Sequence, residues 1–344
     1  MRRGPGGGLV VMEPSVGSVM DAVSVYLLFV RAELDEVIEA RLALEVSAAR
    51  LASERLTEDG LAQLREHAAR EVEGTARDHR VLHNLLAAST ANPALAFFVE
   101  LLHQVTLLYA PESSVLTRTV LRTSADAHQK IVESVVAGNA DQAGSRMRRH
   151  LEAEADLIRR NLPARPRLDQ VFAVPAGGTK LAESIARQIF AEVTASGWQV
   201  GQPLGSEPDL MERFEVSRAV LREAVRVLEH HQIARMRRGP GGGLFVAEPG
   251  VEATTDAVAL YLSRRAIQPT HLFEVRGIIE MTVLDRVIAT LDDLITFVAD
   301  KVTETSAAYD PAWTGSVTNA TCQAFTRRLW KATPRLRRLI RAGL

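Results

Sequence analysis

The chain has 344 residues, of which 47% are hydrophobic and 24% charged, with a formal net charge of -1. This length suits two or three domains, and the near-zero charge excludes a protein that binds nucleic acid over its whole surface. The single cysteine, Cys322, excludes an internal disulfide and a cysteine-based zinc cluster within one chain, as in a reducing cytoplasm. Apolar runs such as residues 23–30 are too short to span a bilayer, so we expect a cytoplasmic protein without membrane contact.

The chain begins with a sequence that it repeats later. Residues 1–14, MRRGPGGGLVVMEP, recur at 236–249 as MRRGPGGGLFVAEP, with 12 of 14 positions identical at an offset of 235. Later identities keep the same register: Asp21, Tyr26, Glu39, Arg41 and Glu45 recur as Asp256, Tyr261, Glu274, Arg276 and Glu280. The repeat predicts two copies of one module, with the chain beginning partway through the first copy.

Residues 1–14 correspond to a Gly-rich hairpin that, in the second copy, follows a pair of helices. A hairpin without its helices has nothing to pack on. In a winged helix-turn-helix domain such a hairpin is called the wing. We therefore expect residues 1–14 to be the remnant of a first wing, with Met1 as an internal start. The alternative is a disordered leader on a complete protein.

Residues 15–162 carry a helical pattern throughout, with apolar residues spaced three and four apart. Helices are predicted over residues 17–32, 34–54, 58–73, 76–89, 93–108, 114–137 and 140–160. These segments predict an all-helical bundle, and the Pro- and Gly-rich residues 163–178 predict a linker.

Residues 179–249 predict a winged helix-turn-helix domain. A first helix is expected over 180–196, a short helix from Glu207 to Phe214 and a turn at Glu215, and Ser217 is expected as the N-cap of the next helix. A Gly-rich hairpin follows.

Residues 250–344 begin a second, incomplete helical bundle that ends in a basic tail. We interpret the tail as an amphipathic helix; the alternative is a phosphate-binding surface.

Three arginines spaced by four residues, Arg218, Arg222 and Arg226, share one face of the second helix, while the opposite face is apolar. An arginine fork can bind guanine O6 and N7 or clamp a phosphate. The glycines of the wing allow close approach to DNA. The predicted contact residues are Ser217, Arg218, Ala219, Arg222, Arg226, Arg237, Arg238 and Gly239. The alternative for any single arginine is a solvated ion pair with Glu223 or Glu229.

Residues 204–211, LGSEPDLM, and 216–225, VSRAVLREAV, resemble the DNA-binding domain of GntR-family transcriptional regulators. The resemblance covers about 70 residues and implies a winged helix that reads the major groove. One position departs from the family pattern, because Pro208 stands where the family has a basic residue. If a good base contact is lost there, we expect a cost of about 1–3 kcal/mol.

The first bundle resembles the effector-binding FCD domain of the FadR-like branch of that family. The resemblance rests on Glu39-x-Arg41-x-x-x-Glu45, on Thr-Ala-Asn-Pro at 90–93 and on Arg-His-Leu at 149–151. Many members bind a divalent metal through one aspartate and three histidines. The family positions are occupied here by His79, His83, His128 and His150, with His79 in place of the aspartate and Asp78 as its substitute.

Imidazoles four residues apart lie on one helical face and suit zinc or nickel, so the resemblance implies such a cofactor in the first bundle. It also implies a small carboxylate effector, with which Arg41 could pair. The alternative is that the histidines line a polar cavity. His67, His103, His230 and His231 fall outside this constellation and are assigned no role.

We therefore expect a mainly α protein: an effector bundle, a winged helix with a small β-wing and a second incomplete bundle. Its expected function is that of a DNA-binding repressor, a homodimer on operator DNA, controlled by a small carboxylate effector. One alternative is a DNA-silent metal or ligand sensor or dimerisation partner. A metal-dependent hydrolase is the weaker alternative, since no His-Glu-x-x-His arrangement is present, and we expect no enzyme.

Overall fold

The computed structural model describes residues 16–73, 80–110, 118–163, 167–168, 171, 181–265 and 267–307. Several predictions lie outside these residues, namely the wing remnant at 1–14, the ligands Asp78 and His79, most of the linker and the basic tail. The described residues fall into two compact units, divided between Thr282 and Val283. No helix in the described part of the chain is long and apolar enough to cross a membrane.

The described residues of the expected helical bundle form seven helices, which begin close to the predicted positions. They are α1 (Val16–Phe29), α2 (Leu34–Arg55), α3 (Glu58–Val72), α4 (Arg80–Ala88), α5 (Pro93–Thr106), α6 (Arg118–Val136) and α7 (Ala140–Arg160). Side-chain caps fix several helix starts. Thr57, Asn92 and Asn139 each accept a hydrogen bond from a backbone N–H in the first turn of the helix that follows.

Helix α2 is the central helix of this bundle and packs extensively along α7. Its buried face includes Ala49 and Ala52, whose small side chains allow neighbouring helices to approach closely. One core cluster joins these residues to the apolar faces of α3, α4, α6 and α7 through Leu64, Leu82, Ile131, Met147 and Leu151, among others. The buried polar residues described below lie between these same helices.

The winged helix-turn-helix domain comprises three helices and a small sheet. Its elements are α8 (Leu181–Ala195), β1 (Pro203–Gly205), α9 (Glu207–Arg213), α10 (Arg218–His230), β2 (Ala234–Arg237) and β3 (Gly243–Val246). The strands pair antiparallel in the order β1-β3-β2, with Met236 opposite Leu244. The predicted mainly α fold with a small β-wing is therefore confirmed.

The winged domain and the first bundle share one continuous hydrophobic core. The ring of Trp198, which follows α8, meets Phe29 at the end of α1 with 5.7 Å between ring centroids. The Trp198 indole donates a hydrogen bond to the carbonyl of Ala247, and the guanidinium of Arg31 donates one to the carbonyl of Gly197. The end of α1 therefore contacts the winged domain directly.

In the described part of the chain two further helices follow the wing, α11 (Val251–Arg264) and α12 (Pro269–Ala307). They begin 235 residues after α1 and α2, the same offset as the sequence repeat. Helix α11 packs against α1, and Tyr261 stacks on Phe97 of the first bundle at 4.8 Å between ring centroids. Near the start of α12, Glu274 accepts hydrogen bonds from Arg55 and from the Nδ2 of Asn92.

Helix α12 differs from its repeat partner α2 in exposure. Leu284 and Val287 are 49% and 50% exposed, whereas Ala49 and Ala52, the α2 residues 235 positions earlier, are fully buried. Met281 is likewise exposed, whereas its counterpart in α2, Val46, is buried. The described part of α12 thus presents an apolar face at positions that are core positions in α2.

Candidate functional site

The second helix of the helix-turn-helix, α10, is placed by a tight turn and a capped start. Glu215 adopts a left-handed backbone (φ 53°), and the Ser217 hydroxyl accepts a hydrogen bond from the Val220 amide as N-cap. The inner face of α10 is buried through Leu221, Ala224 and Leu228, and it packs on α8. The outer face is left to solvent.

The outer face of α10 carries the predicted DNA-contacting arginines, and all three are exposed. Ser217 and Ala219 in the first turn are exposed as well. One carboxylate organises two of the arginines, because Glu207 Oε1 lies 3.5 Å from Arg218 Nε and 3.1 Å from Arg222 Nε. These pairs are solvent-exposed, so their role is to orient the arginines more than to stabilise the fold.

Pro208, the residue that departs from the family pattern, has a local structural role. It occupies the first turn of α9, where a proline is tolerated because the amide there has no helical partner. The helix start is a capping box: the Ser206 hydroxyl accepts from the Asp209 amide, and the Asp209 carboxylate accepts from the Ser206 amide. That exchange also lowers the pKa of Asp209.

The wing places the remaining predicted DNA-contacting residues at its exposed tip. The Arg237 guanidinium stacks over the Phe245 ring, 4.3 Å from the ring centroid, and Arg238 and Gly239 are exposed. The tip is a turn in which the Gly242 amide donates to the Gly239 carbonyl, and the φ of Gly239 is 96°. Because Glu229 accepts from the Met236 amide, the wing is also tied to α10.

A second candidate site lies inside the first bundle, where three of the predicted metal ligands meet. His83 on α4, His128 on α6 and His150 on α7 direct their Nε2 atoms toward one point. The Nε2 atoms of His128 and His150 lie 3.0 Å apart, and those of His150 and His83 lie 3.3 Å apart. All three side chains are buried, and burial lowers the pKa of His150 well below its usual value.

Two buried glutamates hold the outer nitrogens of this cluster. Glu45 Oε2 lies 2.5 Å from His83 Nδ1, and Glu71 Oε2 lies 2.7 Å from His128 Nδ1. Neither glutamate was among the predicted ligands. Their role could not be assigned from spacing, because Glu45 and Glu71 lie 38 and 57 residues from the histidines they contact.

Two more histidines, which sequence analysis left without a role, contact these glutamates. His103 Nε2 on α5 is 3.2 Å from Glu45 Oε2, and His67 Nε2 is 3.4 Å from Glu71 Oε1 one helical turn along α3. Burial lowers the pKa of His67. The spacing of four between His67 and Glu71 was a signal in the sequence that could have pointed to this pair.

Arg41, the predicted effector contact, is 1% exposed and lies beside the same cluster. Its Nε donates to Glu45 Oε1 at 2.6 Å, and its two terminal nitrogens donate to the two oxygens of Glu154, each at 3.0 Å. Burial alone would raise the pKa of both glutamates, but the charge of Arg41 lowers that of Glu45 well below its usual value and that of Glu154 to about 2. Both carboxylates are therefore ionised.

The histidine cluster fits the divalent metal that the family resemblance implies. Nitrogen atoms that share one ion at about 2.0–2.1 Å lie about 3 Å apart, as these do. With neutral imidazoles, the described cluster holds the carboxylates of Glu45, Glu71 and Glu154 against the single guanidinium of Arg41, so a dication would balance its charge. The proposed fourth ligand, His79 or Asp78, lies outside the described residues.

A helix-turn-helix with an exposed arginine face, joined to a helical domain with a buried polar centre, is the architecture of a DNA-binding regulator with a ligand-sensing domain. Comparison with known protein families indicates the same class of protein. Residues 36–153 match the FCD domain, and residues 181–246 match the bacterial regulatory proteins of the gntR family. The chain therefore belongs to the GntR family of transcriptional regulators, in its FadR-like branch.

Neither matched range extends into residues 250–344. The second helical copy therefore remains a prediction, based on the repeat and on the common helix offset. A search of curated proteins finds no match to the chain.

Proposed function

We propose that the protein is a repressor whose operator binding is controlled by a small carboxylate effector and by a divalent metal in the first bundle. The observation that carries the DNA-binding part is the exposed arginine face of α10 on a capped, well-packed helix. Helix α10 would enter the major groove, with Ser217 and the helix N-terminus at a phosphate. Arg237 and Arg238 of the wing would contact the DNA backbone beside the major groove.

The DNA-binding proposal is tested by the affinity for a duplex from the region upstream of the protein's own gene, measured at several salt concentrations. We expect log K to fall steeply with log salt, and Arg222→Ala to weaken binding and reduce the slope by about 1 if Arg222 contacts a phosphate. Arg65→Ala, an exposed arginine of α3, is the matched control. A slope near zero would favour a DNA-silent sensor instead.

The metal part of the proposal rests on the three converging Nε2 atoms. His83, His128 and His150 would hold the ion, and imidazole ligands favour zinc or nickel over magnesium or calcium. When bound, such an ion supplies a Lewis-acidic position that an effector carboxylate can occupy. Elemental analysis of the purified protein, with His128→Ala as the comparison, tests this assignment, and equal metal content in both proteins would contradict it.

The effector part of the proposal assigns the carboxylate of the effector to Arg41. The donors of Arg41 already bond Glu45 and Glu154, and of these two glutamates Glu154 is the accessible one, with its side chain 32% exposed. An incoming carboxylate would therefore replace Glu154 on the guanidinium fork. Acetate, succinate and citrate are suitable probes, and a thermal shift that is lost in Arg41→Lys would support this exchange.

We propose that the protein acts as a homodimer, as two half-sites of an operator require. The exposed apolar face of α12 supports an association surface, because Leu284 and Val287 stand at positions that are buried in α2. Light scattering on Leu284→Asp tests this, with Asp285→Ser as a control on the same exposed stretch. We expect a dimer mass for the control, and a dimer mass for Leu284→Asp would remove α12 from the interface.

A further inference from the structure

We propose that Glu45 and Glu71 are positioning residues of the histidine centre, each fixing one histidine so that its Nε2 lone pair faces the other imidazoles. This inference rests on the proposed metal function, because an orienting role matters where the imidazoles act as ligands. With the residues that support the three histidines included, the centre draws side chains from six helices, α2 to α7.

The hydrogen-bond chemistry sets the orientation. A carboxylate only accepts, so the hydrogen between Glu45 and His83 lies on Nδ1 of the histidine, and the same holds for Glu71 and His128. A neutral imidazole has one donor and one acceptor nitrogen. Nε2 of His83 and Nε2 of His128 are therefore acceptors, which is the state that a metal ligand needs.

The two carboxylates are themselves held in place. Glu45 is fixed by the Nε of Arg41 and by the Nε2 of His103, and it is 1% exposed. Glu71 is 5% exposed and has His67 one helical turn away. Burying two carboxylates costs free energy that an apolar pair would avoid, so their presence favours a role beyond stability.

The position of Arg41 argues against a second ion at Glu45. Glu45, His83 and His103 also form a group of potential ligands. However, Arg41 Nε already lies 2.6 Å from Glu45 Oε1, so a further cation at Glu45 would lie against the guanidinium and be repelled by its charge. The structure therefore assigns Glu45 to the support of one centre.

The experiment compares Glu71→Gln with Glu66→Gln, an exposed glutamate on the same helix, and Glu45→Gln with Glu54→Gln, its exposed counterpart on α2. Zn²⁺ affinity and the visible absorption spectrum of the Co²⁺-loaded protein are measured on the full chain. We expect Glu71→Gln to bind Zn²⁺ about 10- to 100-fold more weakly, with an altered Co²⁺ spectrum, since a supporting partner contributes that much to affinity. The control variants should match the wild type.

Nitrogen-15 NMR of the histidine rings gives a second readout that needs no metal. We expect His128 to be protonated on Nδ1 in the metal-free wild type and to lose this preference in Glu71→Gln. Wild-type affinity, spectrum and tautomer in Glu71→Gln would overturn the inference. If the wild type binds no metal while the tautomer still depends on Glu71, the metal proposal fails but the positioning role stands. Because Glu45→Gln also removes one of the two carboxylates that pair with Arg41, the decisive comparison is that of Glu71→Gln with Glu66→Gln.

Discussion

The Nε2 atoms of His128 and His150 lie 3.0 Å apart in the buried interior of the first bundle. Without a cation between the imidazoles, one of these two nitrogens must carry the hydrogen that joins them. His83 adds a third nitrogen at 3.3 Å from His150, with its outer nitrogen occupied by Glu45. The centre therefore concentrates lone pairs that a metal ion would satisfy together.

Metal loading is expected to stabilise the protein. A ligand that binds the folded state alone raises the free energy of unfolding by about 2.7 kcal/mol at 100 times its dissociation constant. Thermal unfolding with added Zn²⁺ or Ni²⁺, and again after chelation, measures this gain. His150→Ala should lose the gain, and His230→Ala, an exposed histidine of α10, should keep it. Equal stabilisation of both variants would place the metal elsewhere.

Removal of the buried guanidinium is expected to be costly. In Arg41→Met, the ionised Glu45 and Glu154 lose their shared counter-charge, and breaking a buried pair in this way costs about 3–5 kcal/mol. Urea unfolding at neutral pH measures the change. The double variant with Glu154→Gln should cost less than the sum of the two single changes, and simple additivity would contradict the pairing.

The same network sets a pH dependence. Since the pKa of Glu154 falls from 4.5 to about 2 in the folded protein, its contribution to stability is complete above pH 4.5 and is lost as the pH falls toward 2. The Glu154→Gln variant should show a flatter fall of unfolding free energy across that window. Glu152→Gln, an exposed change on α7, should follow the wild type.

Local signals made much of the fold predictable. The helix predicted from residue 93 begins there as α5, and Ser217 caps α10 as predicted; Asn92 and Ser217 each accept a hydrogen bond from an amide in the first turn of the helix that follows. The apolar and basic faces of α10 also followed from a period of 3.6 residues. These features depend on neighbours in the sequence and need no knowledge of the tertiary packing.

The support of the histidine centre was not predictable in that way. Glu71 reaches His128 only because α3 packs on α6, and His103 reaches Glu45 only because α5 packs on α2. Arg41 shows the same limit, since its partner Glu154 is 113 residues away. The resemblance to a family predicted the three inner histidines, whereas the carboxylates around them required the tertiary structure.

Glu207 is expected to tune DNA recognition through the arginines it contacts. Glu207→Gln removes a negative charge within 3.5 Å of Arg218 and Arg222, so binding to non-specific duplex should strengthen. The arginines also lose the partner that orients them, so the ratio of operator to non-specific affinity should fall. Titrations of both duplexes at one fixed salt concentration measure this ratio. An unchanged ratio would show that Glu207 does not direct the arginine side chains.

The turn of the wing gives a prediction with an internal control. A Cβ on Gly242 would lie 2.5 Å from the Arg237 carbonyl oxygen and 2.7 Å from that of Gly239, both fixed backbone atoms. Gly242→Ala should therefore distort the tip that carries Arg238 and cost about 1–3 kcal/mol, as overpacking commonly does.

Gly277 in α12 is the matched control, since a Cβ there meets nothing within 4 Å and the residue is helical. Gly277→Ala should stabilise α12 by about 0.5–1 kcal/mol and leave DNA binding unchanged. The measurements are thermal unfolding and affinity for duplex DNA. If Gly242→Ala bound DNA as tightly as Gly277→Ala, the wing tip would have no part in recognition, and the contacts would reduce to those of α10.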